Sequence, residues 1–357
     1  MRSLLLAACG LILWCLSAAA AGAGTPYPPS PVIRGVSFDW STHDRSAPGS
    51  DNWPVTWADD GNQYTTWGDG GGFGGGDQRG RVSLGVARVE GWWHNYRGVN
   101  IWGGYRPLNP ARFDGKSYGI VCVDGVLYMW RSPGSDSVGY RFARLYRSTD
   151  HGASWTAAGW QFVQADGMVM PTILNFGRNY NGARDGYVYH YFIKLQDPGR
   201  LAVHKPGWVY LLRVPKKDLM RREAYEFFSG TAQRPAWSRR MADRKAVFRD
   251  PRGVGWCVSV SYNAGLKRYL LMTEHDATVK GNIGIFDAPE PWGPWTTVHY
   301  GAGFGHPGEP PTTFFWNFSN KWLSRDGRTF TLIFTGVGVN DSWNLVRGRF
   351  AVAPAEE

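Results

Sequence analysis

Asp51, Asp166 and Glu309 each stand just before a run of apolar and aromatic residues that reads as a β-strand. Asp51 lies in Ser50-Asp51-Asn52-Trp53-Pro54-Val55-Thr56-Trp57, and Asp166 in Gln164-Ala165-Asp166-Gly167-Met168. Glu309 follows a Gly/Pro-rich stretch at residues 303–308. Carboxyl groups gathered at one place can do acid–base work on an acetal. One protonates the leaving oxygen, while another attacks or activates water. A third charge sets the pKa of the acid. These three are expected to be the catalytic set. Asn52, Trp53, Asp69, Lys116, Arg131, Glu274, His275, His306 and Trp316 are expected around the substrate. The indoles of Trp53, Trp67 and Trp316 would offer stacking faces. For each carboxylate taken alone, capping a turn or pairing with an arginine is the competing role.

The elements that must hold these groups repeat. A hairpin over residues 53–68 turns at Asp59-Asp60-Gly61-Asn62 and is followed by a third strand at 84–89. Similar units begin at Tyr118, Met168, Trp256 and Thr313, at roughly 60-residue spacing. Each has a hairpin, a third strand and usually a fourth. This describes an all-β, five-bladed β-propeller. The strand at 32–38 has no hairpin of its own and is expected to close the ring by completing the last blade. Ser148-Thr149-Asp150-His151-Gly152-Ala153-Ser154-Trp155 matches the Asp-box turn, Ser-x-Asp-x-Gly-x-Ser/Thr-Trp, and resembles those of sialidase-like propellers. It is expected to be structural, between third and fourth strands. Only residues 216–228 offer helical periodicity, and the stretch is short.

In such a ring, starts of first strands and ends of second strands meet on one face. That face would carry Asp51, Asp69, Lys116, Arg131, Asp166, Lys194, Glu274, His275, Glu309, Asn340 and Asp341. Asp59, Asp60, Asp124, Asp185 and Asp326 fall in hairpin turns on the opposite face and read as turn formers. His190, in mid-strand, reads as a packed ring. No His-x-His or His-x-x-x-His spacing marks a transition-metal site, and no cofactor is required; calcium in the channel is compatible with an acidic rim but is not signalled. The loop Gly68-Asp69-Gly70-Gly71-Gly72-Phe73-Gly74-Gly75-Gly76-Asp77 lacks the Lys-Ser/Thr and helix of a Walker loop. It reads as a flexible rim loop or substrate lid.

Residues 1–23 read as a signal peptide, with Arg2, an apolar run from Leu4 to Leu16 and small residues at a cleavage site. The protein is therefore expected to be secreted or periplasmic, with residues 24–357 forming a single propeller catalytic domain. Cys9 and Cys15 leave with the signal. Cys122 and Cys257 read as buried thiols or as one disulfide. A net charge of +10 suits an anionic polysaccharide, or a surface tuned for solubility. No nucleic-acid motif, basic arm or membrane span is present outside the signal. The expected partner is a polysaccharide or oligosaccharide, and the expected state a monomer.

The hairpin Asp51…Trp57-Ala58-Asp59-Asp60-Gly61…Tyr64…Gly68-Asp69 resembles the opening blade of a family of secreted bacterial propellers catalogued as a domain of unknown function, near the endo-D-arabinanases. The segment Ile285-Phe286-Asp287-Ala288-Pro289-Glu290-Pro291-Trp292-Gly293-Pro294-Trp295 is similar to a strand of the same group and of five-bladed furanosidases. The resemblance implies a carbohydrate-active enzyme with carboxylates at the propeller mouth. It supports Asp51 and Asp69 best. The Trp-Gly-Asp-Gly-Gly-Gly extension departs from the arabinanase pattern. Three functions are carried forward: a glycoside hydrolase first, then a polysaccharide lyase acting on uronic acids, then a non-catalytic glycan-binding propeller.

Overall fold

The computed structural model describes residues 24–132, 141–197, 200–337 and 339–354. The expected signal peptide, residues 1–23 with Cys9 and Cys15, lies outside the described residues.

Five antiparallel sheets form the ring. Blade 1 runs Val55–Trp57, Gln63–Gly68, Leu84–Glu90 and Arg97–Trp102 from the axis outward. Blade 2 has Lys116–Val123, Val126–Ser132 and Phe142–Ser148, edged by two short strands. Blade 3 has Val169–Ile173, Tyr187–Ile193 and Gly207–Pro215, with three short strands outside them. Blade 4 is Ser259–Asn263, Arg268–Glu274, Ile283–Ala288 and Thr296–Gly301. Blade 5 is Phe314–Phe318, Thr329–Val337 and Val339–Val352, completed by the amino-terminal strand Ile33–Ser46. That strand pairs with the carboxy-terminal one from Ile33–Val352 to Ser46–Trp343, so the ring closes where the sequence predicts.

The inner strands carry a shared irregularity. In blade 1, Asp51 faces Gly68, and four residues on Val55 faces Thr65, only three residues back. Blades 2, 3 and 5 repeat the extra residue between Lys116 and Gly119, Val169 and Thr172, and Phe314 and Asn317. Such bulges bend a strand and re-aim its side chains. Asn52, Met170 and Phe315 take positive φ of 57°, 54° and 48° within three of them. Every bulge lies at the same end of its blade, and that end is the mouth.

Below the bulges the channel is nearly filled. Val55, Ile120, Thr172, Val260 and Asn317, one from each inner strand, line a space of ≈ 10 Å³. That is about the room one water needs. The axis is therefore closed beneath the mouth.

Residues 216–228 do not form an α-helix. Two 3₁₀ turns, Lys216–Asp218 and Arg222–Ala224, lead into a strand Glu226–Phe228. Phe227 pairs with Leu212, so sheet pairing and burial of the two phenylalanines override a weak helical pattern. The Asp-box occupies the predicted turn. Ser154 N–H donates to Asp150 Oδ1 at 2.9 Å, Gly152 N–H to Ser148 Oγ at 2.8 Å, and Trp155 packs between blades 1 and 2. Cys122 and Cys257 are free and buried.

Candidate active site

Blade 1 supplies the floor of the mouth. Asp51 and Gly68 exchange two backbone hydrogen bonds of 2.7 Å, which fixes both residues at the strand ends. Gly68 has no side chain, and this is a matter of space. A Cβ there would overlap Asp51 Oδ1 and stand 2.8 Å from Lys116 Cδ and 3.1 Å from Asn52 Nδ2. Asp51, Asn52 and Lys116 thus gather over a bare backbone. Asp69 follows with φ of 56°, a left-handed turn that Asp tolerates. Its carboxylate meets Lys116 Nζ at 2.5 Å and Arg81 at 3.5 Å. Lys116 is 5% exposed and also donates to the Ser83 carbonyl at 3.2 Å.

Blades 4 and 5 complete the group. Asn52 N–H donates to Thr335 Oγ1 of blade 5 at 3.0 Å, and its Oδ1 accepts from Cys257 Sγ of blade 4 at 3.4 Å. Asp341, near the start of the blade 5 strand Val339–Val352, has φ of 61°. Its carbonyl accepts from Gly49 N–H at 2.7 Å, tying blade 5 to the approach to Asp51. Glu274 ends the second strand of blade 4, is 2% exposed, and accepts from Val279 N–H.

The electrostatics separate these carboxyls. Burial pushes Asp51 well above the ordinary carboxylate range. Lys116 opposes the shift, and the negative charges of Asp341 and Asp69 add to it. Asp51 Oδ1 has no hydrogen-bond partner. Asp341 is raised to about 6 by burial and by Asp69, with Lys116 and Arg81 pulling the other way. Glu274 is raised to about 8 by burial, against the two backbone N–H groups of Val279 and Lys280. The mouth therefore sets Asp51, whose protonated form is favoured by burial and neighbouring negative charge, beside Asp69, which is ion-paired to Lys116. This is the division of roles that acid-assisted hydrolysis uses.

Other predicted groups lie elsewhere. Asp166 ends a 3₁₀ turn, where its side chain accepts from Val163 N–H at 2.8 Å and its carbonyl from Arg244 of blade 3 at 2.8 Å. It caps its own turn. Glu309 pairs with Arg45 on the outermost strand of blade 5 and faces His306 Nδ1 at 3.9 Å. Trp53 and Trp67 are 0% exposed and Trp316 1%, so all three are core rings rather than sugar platforms. Trp53 stacks on Trp67 at 5.9 Å and meets Trp343 edge-on at 5.3 Å. Arg131 is turned outward to the Asp114 carbonyl and to Tyr146 Oη at 2.8 Å. His275 is 1% exposed, stacked on Tyr300 at 3.8 Å, with Asp276 and the Gly301 carbonyl at its two nitrogens. The glycine loop is pinned rather than free. Asn100 Nδ2 donates to the carbonyls of Gly71 and Phe73, and Gly72 N–H donates to Ser50 Oγ at 2.9 Å. Asp341 and Glu274 carry more of the site's electrostatics than their ranking in the sequence suggests. The available signal was their place at strand ends on the mouth face. Among the described residues no three His, Cys, Asp or Glu side chains are grouped to hold a metal ion.

Comparison with known proteins agrees with this architecture. The chain is similar to a GH43_1 enzyme from Xanthomonas citri, at 13% identity and a TM-score of 0.50, over 86% of this chain and 92% of that one. It is also similar to a GH62 hydrolase solved in complex with xylotriose, at 10% identity and a TM-score of 0.49, over 85% and 92%. A third is the Penicillium chrysogenum α-L-arabinanase complexed with arabinobiose, at 13% and 0.46, over 85% and 96%. At 13% identity the likeness to the GH43_1 enzyme is one of fold, and that fold is one found among glycoside hydrolases. No curated protein matches the chain by sequence. A family model described as "Domain of unknown function (DUF4185)" matches residues 120–326, more than half of the chain, and the protein belongs to that family.

Proposed function

We propose that this protein is an exported glycoside hydrolase in which Asp51 is the acid and Asp69 the partner carboxylate. The observation that carries the reading is the contrast between the two at one mouth. Burial and neighbouring negative charge favour the protonated form of Asp51. Asp69 is ion-paired to Lys116. In this mechanism Asp51 protonates the glycosidic oxygen as the bond breaks. Lys116 and the Asn52 amide then stabilise the carboxylate that remains. Asp69 meets the developing positive charge at the sugar carbon, as nucleophile or by activating water. Asp341 raises the proton affinity of Asp51 and so tunes the acid. Glu274, neutral around pH 7, lines the buried side without adding another negative charge.

The lyase alternative calls for a free base and an unpaired cation over a uronate. The groups it would use are engaged: His275 is buried, Arg131 faces outward, Lys116 is paired and Lys194 lies over the Trp208 ring at 3.9 Å. The hydrolase reading is tested by Asp51→Asn and Asp69→Asn. Each is expected to lower the rate by about 10²–10⁴-fold while the melting curve stays cooperative. Wild-type turnover by either variant would remove that residue from the mechanism.

A further inference from the structure

A concave surface lies outside the mouth. A cleft of ≈ 650 Å³ follows the seam between the outermost strand of blade 5 and the loop at residues 91–96 of blade 1. Its aromatic wall is Phe73, Trp93 and Tyr96, and its polar rim includes Asp44, His94 and Arg97. A neighbouring cleft of ≈ 250 Å³, bordered by Asp39 and Arg347, shares Trp93, so the groove continues around that indole.

The aromatic turn is held in place before any ligand arrives. Trp92 N–H donates to Asn95 Oδ1 at 2.8 Å, and Asn95 N–H returns to the Trp92 carbonyl at 3.0 Å. Trp322 Nε1 donates to the Gly91 carbonyl at 3.3 Å, and Tyr96 Oη to Asp44 at 2.6 Å. The Arg347 guanidinium lies 4.6 Å over the Trp93 ring. Trp92, on the same turn, is 53% exposed. The cleft also adjoins the mouth. Ser46 lines it, and three residues further on the Gly49 N–H donates to the Asp341 carbonyl at 2.7 Å.

The lining selects the ligand class. Sugar rings present apolar C–H faces edged by hydroxyls, which aromatic faces with flanking hydrogen-bonding groups match. Of the four arginines along the groove, Arg45 and Arg97 are ion-paired to Glu309 and Glu90, and Arg347 and Arg349 stand against Asp39 and Asp44, so the groove has no single sign to attract a polyanion. We propose that the seam between blades 5 and 1 binds a neutral polysaccharide chain, as a carbohydrate site separate from the catalytic mouth and leading into it. Its role in substrate capture rests on the hydrolase reading of the mouth, but its binding is measurable without turnover.

The test is affinity electrophoresis of the mature protein in native gels cast with soluble linear arabinan or arabinoxylan. Wild type and Asp51→Asn are expected to be retarded equally. Trp93→Ala is expected to lose about tenfold in affinity, the equivalent of one anchoring contact. His94→Ala, exposed and outside the core, should weaken binding several-fold with an unchanged melting temperature, which guards against a misfolded Trp93 variant. Wild-type retardation of both variants overturns the proposal, as does no retardation of wild type in either gel. So does a dimer of wild type that Trp92→Ala or Trp93→Ala dissociates, since a second copy would then occupy the seam. Retardation of wild type with no release of reducing ends by wild type would strike the catalytic reading alone.

Discussion

The bare Cα of Gly68 is what lets Asp51, Asn52 and Lys116 meet. Gly68→Ala should therefore act on chemistry as well as on packing. The new methyl group displaces the Asp51 carboxyl and the lysine stem. A loss of about 10²-fold in rate and about 1–3 kcal/mol of stability is expected, read from initial rates and denaturant melts. Asp341 acts at a distance, through charge. Replacing it with Asn removes a negative neighbour of Asp51 and makes Asp51 easier to ionise. The alkaline limb of the kcat/KM profile should then move to lower pH. Glu274 gives a stability signature with a definite sign. Its folded value, about 8, lies above the ordinary glutamate value. The stability it confers is fully present below the unfolded value and is lost as pH rises through about 8. Glu274→Gln, neutral throughout, should gain on wild type in melting temperature between about pH 5 and about pH 9. A constant difference would show that Glu274 does not hold its proton in the folded state. At this scale Asp51, Asp69 and Lys116 were legible, because polar residues at hairpin ends stand out against apolar strands. Asp166 and Glu309 share that local pattern. What separates them is radial position, since one caps a turn and the other reaches Arg45 on the rim, and a linear pattern of strands carries no radius.

The elements were legible wherever hairpins alternate apolar and polar residues around Gly, Asn or Asp turns. The bulges were not, because an extra inner-strand residue shows only against its pairing partner. Nor was burial of Trp53, Trp67 and Trp316. Alternation says that a ring faces one side of a sheet, not whether another blade covers it. The amino-terminal strand makes the most consequential prediction here. It supplies the outer edge of blade 5 and places Ser46 beside the mouth. Deleting residues 24–46 would leave a long strand, Val339–Val352, with an open edge and uncover Phe350 and Phe330. The truncated chain should lose its cooperative melt or aggregate, as followed by circular dichroism and light scattering. A cooperative melt at the wild-type temperature would mean that the ring holds without its closing strand.

For the whole molecule, five sheets around a filled axis leave one end of the ring as a mouth closed beneath. Carboxyls from blades 1, 4 and 5 and a lysine from blade 2 converge there. A scaffold of this kind positions groups from segments far apart in sequence, which is why no short motif announces the site. The measurement that tests this reading most directly follows the mature protein and its Asp51→Asn and Asp69→Asn variants on neutral and uronic-acid polysaccharides, reading reducing ends and near-ultraviolet absorbance together. Wild type should release reducing ends from at least one glycan without gain in absorbance, and both variants should be silent on it. Absorbance rising with the reducing ends, or release undiminished in both variants, would contradict a hydrolase built on these two carboxyls.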